Sequence, residues 1–485
     1  MTFKFKKLLH TSAHIFLPLI ALSILSNANA NNLPMLGDYS SSIVTLNSEY
    51  NLGQGIIRKL RSTMPAVNDP ITEAYIQDLT WDLAATSQLS DQRLSIIVID
   101  SLSVNAFAAP GGIIGINTGL ILTAKAEDEL ASVISHELAH LSQRHFAAKL
   151  EQQRINTPFA IASLLTGALL AAANPELGSA VISSSMANQA SSALAFSRRN
   201  EQEADRIGML NLARSGYSPD AMPRMFERLL ELQRLQGSAP PEFLLTHPAS
   251  SARVADTANR AQQMTKEKTL TKSLDFEIIK ARLSVKNARK NKQSLKYFAN
   301  QAKDNNSAIN IFTLALAAGH FKRYSESISH FNQLPGRWKK HLLVKLSLAE
   351  IHKDNNQLIK AFAIFKQLNA IYPKHFAIQS LYAQTLLAAQ RPEQAVVQLQ
   401  QITQYAEDDA NTWYLLAEAH GLAGNKKALH RARIEYFLLV GQIDRARTQI
   451  SYARRERSLK ANDIYRLDDL EQQIQIVEGY LNTQF

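Results

Sequence analysis

The chain has no cysteine among its 485 residues. That closes every disulfide, thiolate-ligand and cysteine-nucleophile mechanism, and it leaves thiol usage silent about the compartment. Also missing is a dense basic block: the formal charge of +11 comes from 53 Lys and Arg against 42 Asp and Glu spread along the chain. Such a distribution gives no nucleic-acid footprint and only a weak attraction to anionic surfaces. Long apolar runs are scarce too. The uncharged stretch 159–173 covers about 22 Å as a helix, short of the roughly 30 Å hydrocarbon core, so it is not expected to span a membrane. It reads either as a buried helical arm or as a surface that touches lipid or an unfolded client. With 46% hydrophobic and 20% charged residues, the bulk of the chain is expected to fold in water, as about three domains.

At the N-terminus, Lys4, Lys6 and Lys7 precede the apolar run Ile15 to Leu25, and Ala28-Asn29-Ala30 follows. This is the pattern of an export signal cleaved after Ala30, which implies a secreted or periplasmic protein. Residues 31–68, with Gly, Asn and Ser among brief apolar stretches, read as an extended lead-in. Pro70 opens a helical pattern through Ile71, Ala74, Tyr75, Leu79 and Leu83. Leu94 to Ile99 reads as a strand, and Ser103 to Asn117 as strand, Gly-rich turn and strand. A helix from about Ala126 carries Leu130, Val133, Ile134, Leu138 and Leu141 on one side. Helices follow over 196–214 and 220–235, then the loop Thr246-His247-Pro248 and a short helix with Arg253.

Beyond residue 265 the composition turns to Gln, Lys, Ala and Leu in helical stretches, which marks a domain boundary. Small residues recur every 34 positions at Ala281, Ala315, Ala349, Ala383 and Ala417. Ala361 and Ala395 fall between them, and larger residues Tyr297, Phe331, Phe365 and Leu399 are expected to fill the seams. The phase is lost after Ala417, where Gly441, Ala446 and Ile450 suggest a helix pair displaced by half a period. Such an array resembles tetratricopeptide repeats, stacked helix pairs with a curved binding surface.

Residues 136–140 read His-Glu-Leu-Ala-His within the amphipathic helix. Side chains four apart share a helical face, so His136 and His140 can present two imidazole nitrogens to one ion. Glu137 stands beside it, free to take a proton from a water. A catalytic zinc needs a third protein ligand, and the carboxylates of Glu201-Gln202-Glu203-Ala204-Asp205 are the candidates. Glu203 points about 200° round the helix from Glu201, so the two cannot serve one ion together. Asp205 shares the face of Glu201 and can hydrogen-bond a liganding imidazole or pair with Arg198 or Arg199. His247 and Arg253 are candidates for the reacting carbonyl. His247 can donate to it or occupy the metal's open position, and Arg253 is better suited to tying the loop to Asp205 or Glu203. Asn105 to Ala108 and Gly112 to Gly115 are the stretches where an extended substrate could pair.

Ser135 to His140, Glu201-x-x-x-Asp205 and Gly208 together resemble the M48 family of zinc metallopeptidases. The resemblance implies one Zn2+ per chain held by His136, His140 and Glu201, with Glu137, Asp205, His247 and Arg253 in the catalytic machinery. The implied architecture is an α+β zincin-like domain with a small sheet over 31–265, behind a signal at 1–30, and an all-α tetratricopeptide solenoid over 266–485. Signal, uncharged arm and array together resemble the periplasmic, barrel-assembly-enhancing branch of that family in Gram-negative bacteria. That resemblance implies a periplasmic enzyme, soluble or peripherally associated with the outer membrane. Its partners would be unfolded or stalled outer-membrane β-barrel proteins and, through the repeats, the barrel-assembly machinery. The alternative is an assembly scaffold or chaperone whose protease site is self-inhibited. Without cysteine, the two regions must be held together by noncovalent packing.

Overall fold

A computed structural model describes residues 44–152, 197–236, 241–264, 273–288, 292–457 and 459–482. The export signal, the uncharged run 159–173 and the boundary at 265 lie outside them. The described chain begins with a helix where an extended lead-in was expected. Helix α1 (Leu46–Thr63) is capped by Thr45, whose hydroxyl accepts from the Ser48 amide, and it buries Leu52, Ile56, Ile57 and Leu60. Its glycines disguise it: a Cβ on Gly53 would lie 2.5 Å from the Pro110 carbonyl oxygen, and one on Gly55 would strike the Tyr480 backbone. Glycine lowers helix propensity, but here it permits close backbone approach.

Helix α2 (Pro70–Ala85) has Asp69 as its N-cap. Strands β1 (Ser95–Ile99), β2 (Ala106–Ala109) and β3 (Ile113–Asn117) form a sheet of order β1-β3-β2, β1 parallel and β2 antiparallel to β3. The central position of β3 corrects one expectation. Gly115 pairs with both Ile97 and Phe107, so its strand has no edge to offer a substrate, and β2 is the margin beside the later helices. A short helix α3 (Thr118–Thr123), absent from the sequence reading, leads into α4 (Glu127–Ser142) and α5 (His145–Gln152). Glu127, Asp128 and Glu129 in its first turn oppose the positive end of the α4 dipole, and Leu130, Ala131, Ile134 and Leu138 are wholly buried. Helices α6 (Arg198–Arg214), α7 (Ala221–Gln236), α8 (Glu242–Thr246) and α9 (Ser251–Gln263) complete this region. Helix α6 lies along α4 at Gly208, where a Cβ would sit 3.1 Å from the His136 amide nitrogen.

The remaining helices are α10 (Leu274–Lys286), α11 (Lys292–Asp304), α12 (Ala308–His320), α13 (Tyr324–Gln333), α14 (Gly336–Lys340), α15 (Leu342–Asp354), α16 (Leu358–Ile371), α17 (Phe376–Ala388), α18 (Pro392–Ile402), α19 (Ala410–Leu422), α20 (Lys426–Leu439), α21 (Ile443–Arg454) and α22 (Ala461–Asn482). The first helix of each pair starts at Leu274, Ala308, Leu342, Phe376 or Ala410, always 34 residues after the last. Ala281, Ala315, Ala349, Ala383 and Ala417 are all buried, as are Ala361 and Ala395, so the small-residue registry marks where paired helices touch. Two details differ from the sequence reading. Tyr297 is 57% exposed and its neighbour Phe298 fills the seam at 6%, a one-residue slip in the first pair. The phase also continues past Ala417: α21 opens 33 residues after α19, one short of the period, with Ala446 and Ile450 buried.

Noncovalent contacts join the two regions, as the absence of cysteine requires. One buried apolar cluster runs from Val67 through Ile134 and Ala315 to Ala432. Helix α1 packs on α22, and the Arg58 Nε donates to the Leu438 carbonyl at 3.0 Å. Arg282 of α10 donates to both carboxylate oxygens of Asp69 at 3.0 and 2.7 Å, and its Nη2 lies 2.8 Å from Glu350 of α15. A cavity of about 500 Å³ between β1, α2 and α19 is lined by Trp81, Ile96, Tyr405, Asp408 and Tyr414.

Candidate metal centre

Helix α4 places His136 and His140 one turn apart, with the rings edge to face at 4.7 Å between centroids and the two Nε2 atoms 3.0 Å apart. Helix α6, held against them at Gly208, brings in Glu201. Its Oε2 lies 3.6 Å from His136 Nε2, and its Oε1 lies 3.6 Å from His140 Nε2. The end of α8 delivers His247, whose Nδ1 is 3.1 Å from Glu201 Oε1 and 3.4 Å from His136 Nε2. Ligand atoms of these four buried residues all lie within 4.8 Å of one another. Three imidazoles and one carboxylate from separate elements are a donor set that zinc accepts.

Glu137, one step round α4, is fully buried, and the hydrogen bond to its carboxylate comes from the backbone N–H of Ala108 in β2. The imidazole of His247 lies beside it, with Nε2 3.5 Å from Oε1. A carboxylate buried this deeply calls for a ligand, an ion or a chemical task. Burial pushes the Glu137 carboxyl up, against the pull of His247 and His136, which favours a group that takes up a proton. Burial works in the same direction on Glu201, but His247, His136 and Arg253 outweigh it and hold that carboxyl below its ordinary value. His140 is held well below the usual imidazole range by burial and by the facing His136 and His247, which keeps it neutral as a metal ligand must be. For His247 burial is outweighed by Glu201 and Glu137, and its proton affinity rises. The carboxylate set thus divides into one group kept ionised and one inclined to hold a proton.

Asp205 lies behind the cluster, with Oδ1 3.0 Å from His136 Nδ1. Arg253 donates to it twice, from Nε at 2.8 Å and Nη2 at 2.7 Å. The same guanidinium donates from Nη1 to the Pro248 carbonyl at 2.9 Å and pairs with Glu201 Oε2 at 2.8 Å. Arg253 therefore ties the His247 loop to α6 through Asp205 and Glu201. Among the described residues, the ion pairs of Asp205 are with His136 and Arg253, and not with Arg198 or Arg199. Glu203 faces away from the cluster, 3.5 Å from His145 Nε2.

His145 was not singled out from the sequence. It stands five residues after His140 and past the end of α4, so helical spacing does not connect the two. Between them the helix ends at Ser142 and Arg144 takes a left-handed φ of 50°, which no residue type in Gln143-Arg144 announces. Its guanidinium reaches Glu49 of α1 at 2.9 Å, a contact hidden with that helix.

Residues 70–261 match the family described as Peptidase family M48, and residues 352–419 match Tetratricopeptide repeat. The chain is 33% identical over 433 residues to the beta-barrel assembly-enhancing protease of Escherichia coli O157:H7, covering 88% of this chain and 87% of that protein. It is 30% identical over 419 residues to the protease of the same name in Yersinia pestis, covering 85% of each. A more distant similarity, 36% over 170 residues, joins it to the mitochondrial metalloendopeptidase OMA1 of Arabidopsis thaliana, covering 35% of this chain and 32% of that one.

Proposed function

We propose, from the premise that this chain belongs to the family of beta-barrel assembly-enhancing proteases and carries an M48 peptidase domain, that it is a zinc endopeptidase of the periplasm. In this reading it promotes the assembly of outer-membrane β-barrel proteins and degrades those that stall. The observation that carries the chemistry is the meeting of His136, His140, Glu201 and His247 beside the buried carboxylate of Glu137.

His136, His140 and Glu201 would hold the zinc. When bound, zinc supplies a Lewis acid that makes water a stronger acid and draws electrons from a peptide carbonyl. The chain's residues supply the rest. Glu137 accepts the proton of the attacking water and returns it to the leaving amine. Asp205 orients His136 through Nδ1, and Arg253 fixes both Asp205 and the His247 loop. His247, 3.5 Å from Glu137 and 3.1 Å from Glu201, would donate to the reacting carbonyl. The β2 margin, beside α4, is where an extended substrate would lie.

The repeats are assigned to partner capture: clients in the unfolded state and the barrel-assembly machinery. The location proposed, periplasmic and soluble or peripherally attached to the outer membrane, rests on the similarity to beta-barrel assembly-enhancing proteases; among the described residues no helix is long and apolar enough to cross a membrane.

A second reading is favoured by one observation, that the His247 Nδ1 lies within the same cluster as the other ligand atoms. A fourth protein ligand closes the position a catalytic zinc leaves open, which would make the chain mainly an assembly scaffold with a self-inhibited site. Proteolysis of a purified unfolded barrel protein, with and without a chelator, separates the two. Chelator-sensitive cleavage supports the endopeptidase, and absence of cleavage by zinc-loaded protein supports the scaffold.

A further inference from the structure

We propose that His145 is the positioning residue for His140: it accepts the Nδ1 proton of that ligand and thereby fixes the tautomer that turns the Nε2 lone pair toward the metal. The inference rests on the metal centre assigned above and adds to it a histidine that no ligand motif contains.

The geometry is symmetrical in outline and unequal in chemistry. Both liganding imidazoles turn Nε2 inward, 3.0 Å from each other, and both turn Nδ1 outward. His136 Nδ1 meets Asp205 Oδ1 at 3.0 Å. His140 Nδ1 meets His145 Nδ1, also at 3.0 Å. An imidazole nitrogen that gives its lone pair to a metal carries no proton, so the proton of each neutral ligand sits on Nδ1. His140 is therefore the donor in its outer contact, and the Nδ1 of His145 must be the acceptor. The proton of His145 then sits on Nε2, and Glu203 Oε2 lies 3.5 Å from that atom. One ligand leans on a carboxylate shared with Arg253. The other leans on a neutral imidazole, itself polarised by a carboxylate farther out.

The backbone is built for this contact. A side chain five residues on in a continuous helix points about 140° away, so an uninterrupted α4 would carry His145 away from His140. The helix stops at Ser142, and Arg144 takes a left-handed φ of 50° before α5 begins at His145. A non-glycine residue in that conformation is disfavoured. It is held by side-chain donation from Nε to Glu49 at 2.9 Å and from Nη2 to the Val44 carbonyl at 2.5 Å. The left-handed residue ends α4 as Lys322, Asn356 and Gln390 end helices of the repeats, and here it sets His145, only 4% exposed, with its Nδ1 against that of His140. The pairing also gives Glu203 its place: unable to share the ion with Glu201, it faces the outer end of the relay.

The test measures zinc affinity of the full chain by competition with a chromophoric chelator, without any activity assay. His145→Leu fills the space but cannot accept a proton, and its affinity should fall about 10- to 100-fold. His145→Asn puts its amide Oδ1 where Nδ1 of the histidine stands, able to accept from His140, and it should recover most of that loss. A purely structural role would lower thermal stability while leaving the affinity of folded protein unchanged. His145→Leu within about twofold of wild type, or His145→Asn no better than His145→Leu, overturns the proposal. Should the leucine variant not fold, His145→Ala, which offers no acceptor, replaces it and must bind more weakly than His145→Asn. His140→Ala is the control: if it keeps wild-type zinc affinity, the metal centre itself has been misassigned, an outcome distinct from failure of the relay.

Discussion

The peptidase region buries His136, Glu137, His140, Glu201 and Asp205 as deeply as the repeat region buries Ala315, Ala349 and Ala383. In the repeats each buried residue does what its neighbours one period away do, so the fold is a local rule applied again and again. In the peptidase region no two ligand-bearing elements repeat one another. Charges and imidazoles from α4, α6 and the loop after α8 meet at one point, and each is tolerable at that depth only because the others are present. A buried charge cluster assembled from distant segments is costly for stability alone, and its retention points to chemistry. The repeats hold nothing comparable among the described residues, apart from Arg282, whose partners Asp69 and Glu350 lie one in each region.

The largest expected effect tests the chemical half of that contrast. Glu137→Gln keeps the shape of the side chain and removes its proton acceptor. Hydrolysis of an unstructured peptide should fall by about 10²- to 10⁴-fold, while zinc content and the unfolding transition stay at wild-type values. Turnover close to wild type would remove Glu137 as the base.

Next in size is the seam. Arg282→Met leaves Asp69 and Glu350 buried without their cation, and urea unfolding should show a loss of about 3 to 5 kcal/mol. Part of that loss comes from α2, because Asp69 also caps that helix by accepting from the Ile71 amide and the Thr72 hydroxyl. A loss under about 1 kcal/mol would mean that the two regions are joined by the apolar cluster alone.

The smallest effects sharpen the repeat half. Phe298→Ala should cost about 3 kcal/mol by opening a cavity in the first seam, whereas Tyr297→Ala should change stability by less than about 0.5 kcal/mol. Equal costs would contradict the one-residue slip between them.

The residues that sequence made legible are those whose role is set by spacing along one element. His136 and His140 are one turn apart on a helix whose apolar side is unbroken, and the alanines recur at 34 residues because helix pairs of fixed length must touch at fixed points. The resemblance to M48 peptidases added Glu201, which no spacing could join to α4. What stayed hidden depends on contacts between distant segments or on departures from regular backbone. Helix α1 was masked by glycines that serve close approach to Pro110 and Tyr480. His145 was masked because a left-handed Arg144, braced by Glu49, reverses the chain. Gly112 to Gly115 looked like a substrate edge because pairing on both sides of β3 is a property of the sheet, invisible within the strand itself.

The central claim is that the chemistry of this chain rests on one metal held by α4 and α6 through Glu201. Metal analysis of purified wild type, Glu201→Ala and Glu203→Ala tests it most directly, without competing chelator. The account predicts close to one zinc per chain in wild type and in Glu203→Ala, with a sharp loss in Glu201→Ala. Full zinc occupancy in Glu201→Ala together with loss in Glu203→Ala would contradict it and place the metal on the other face of α6.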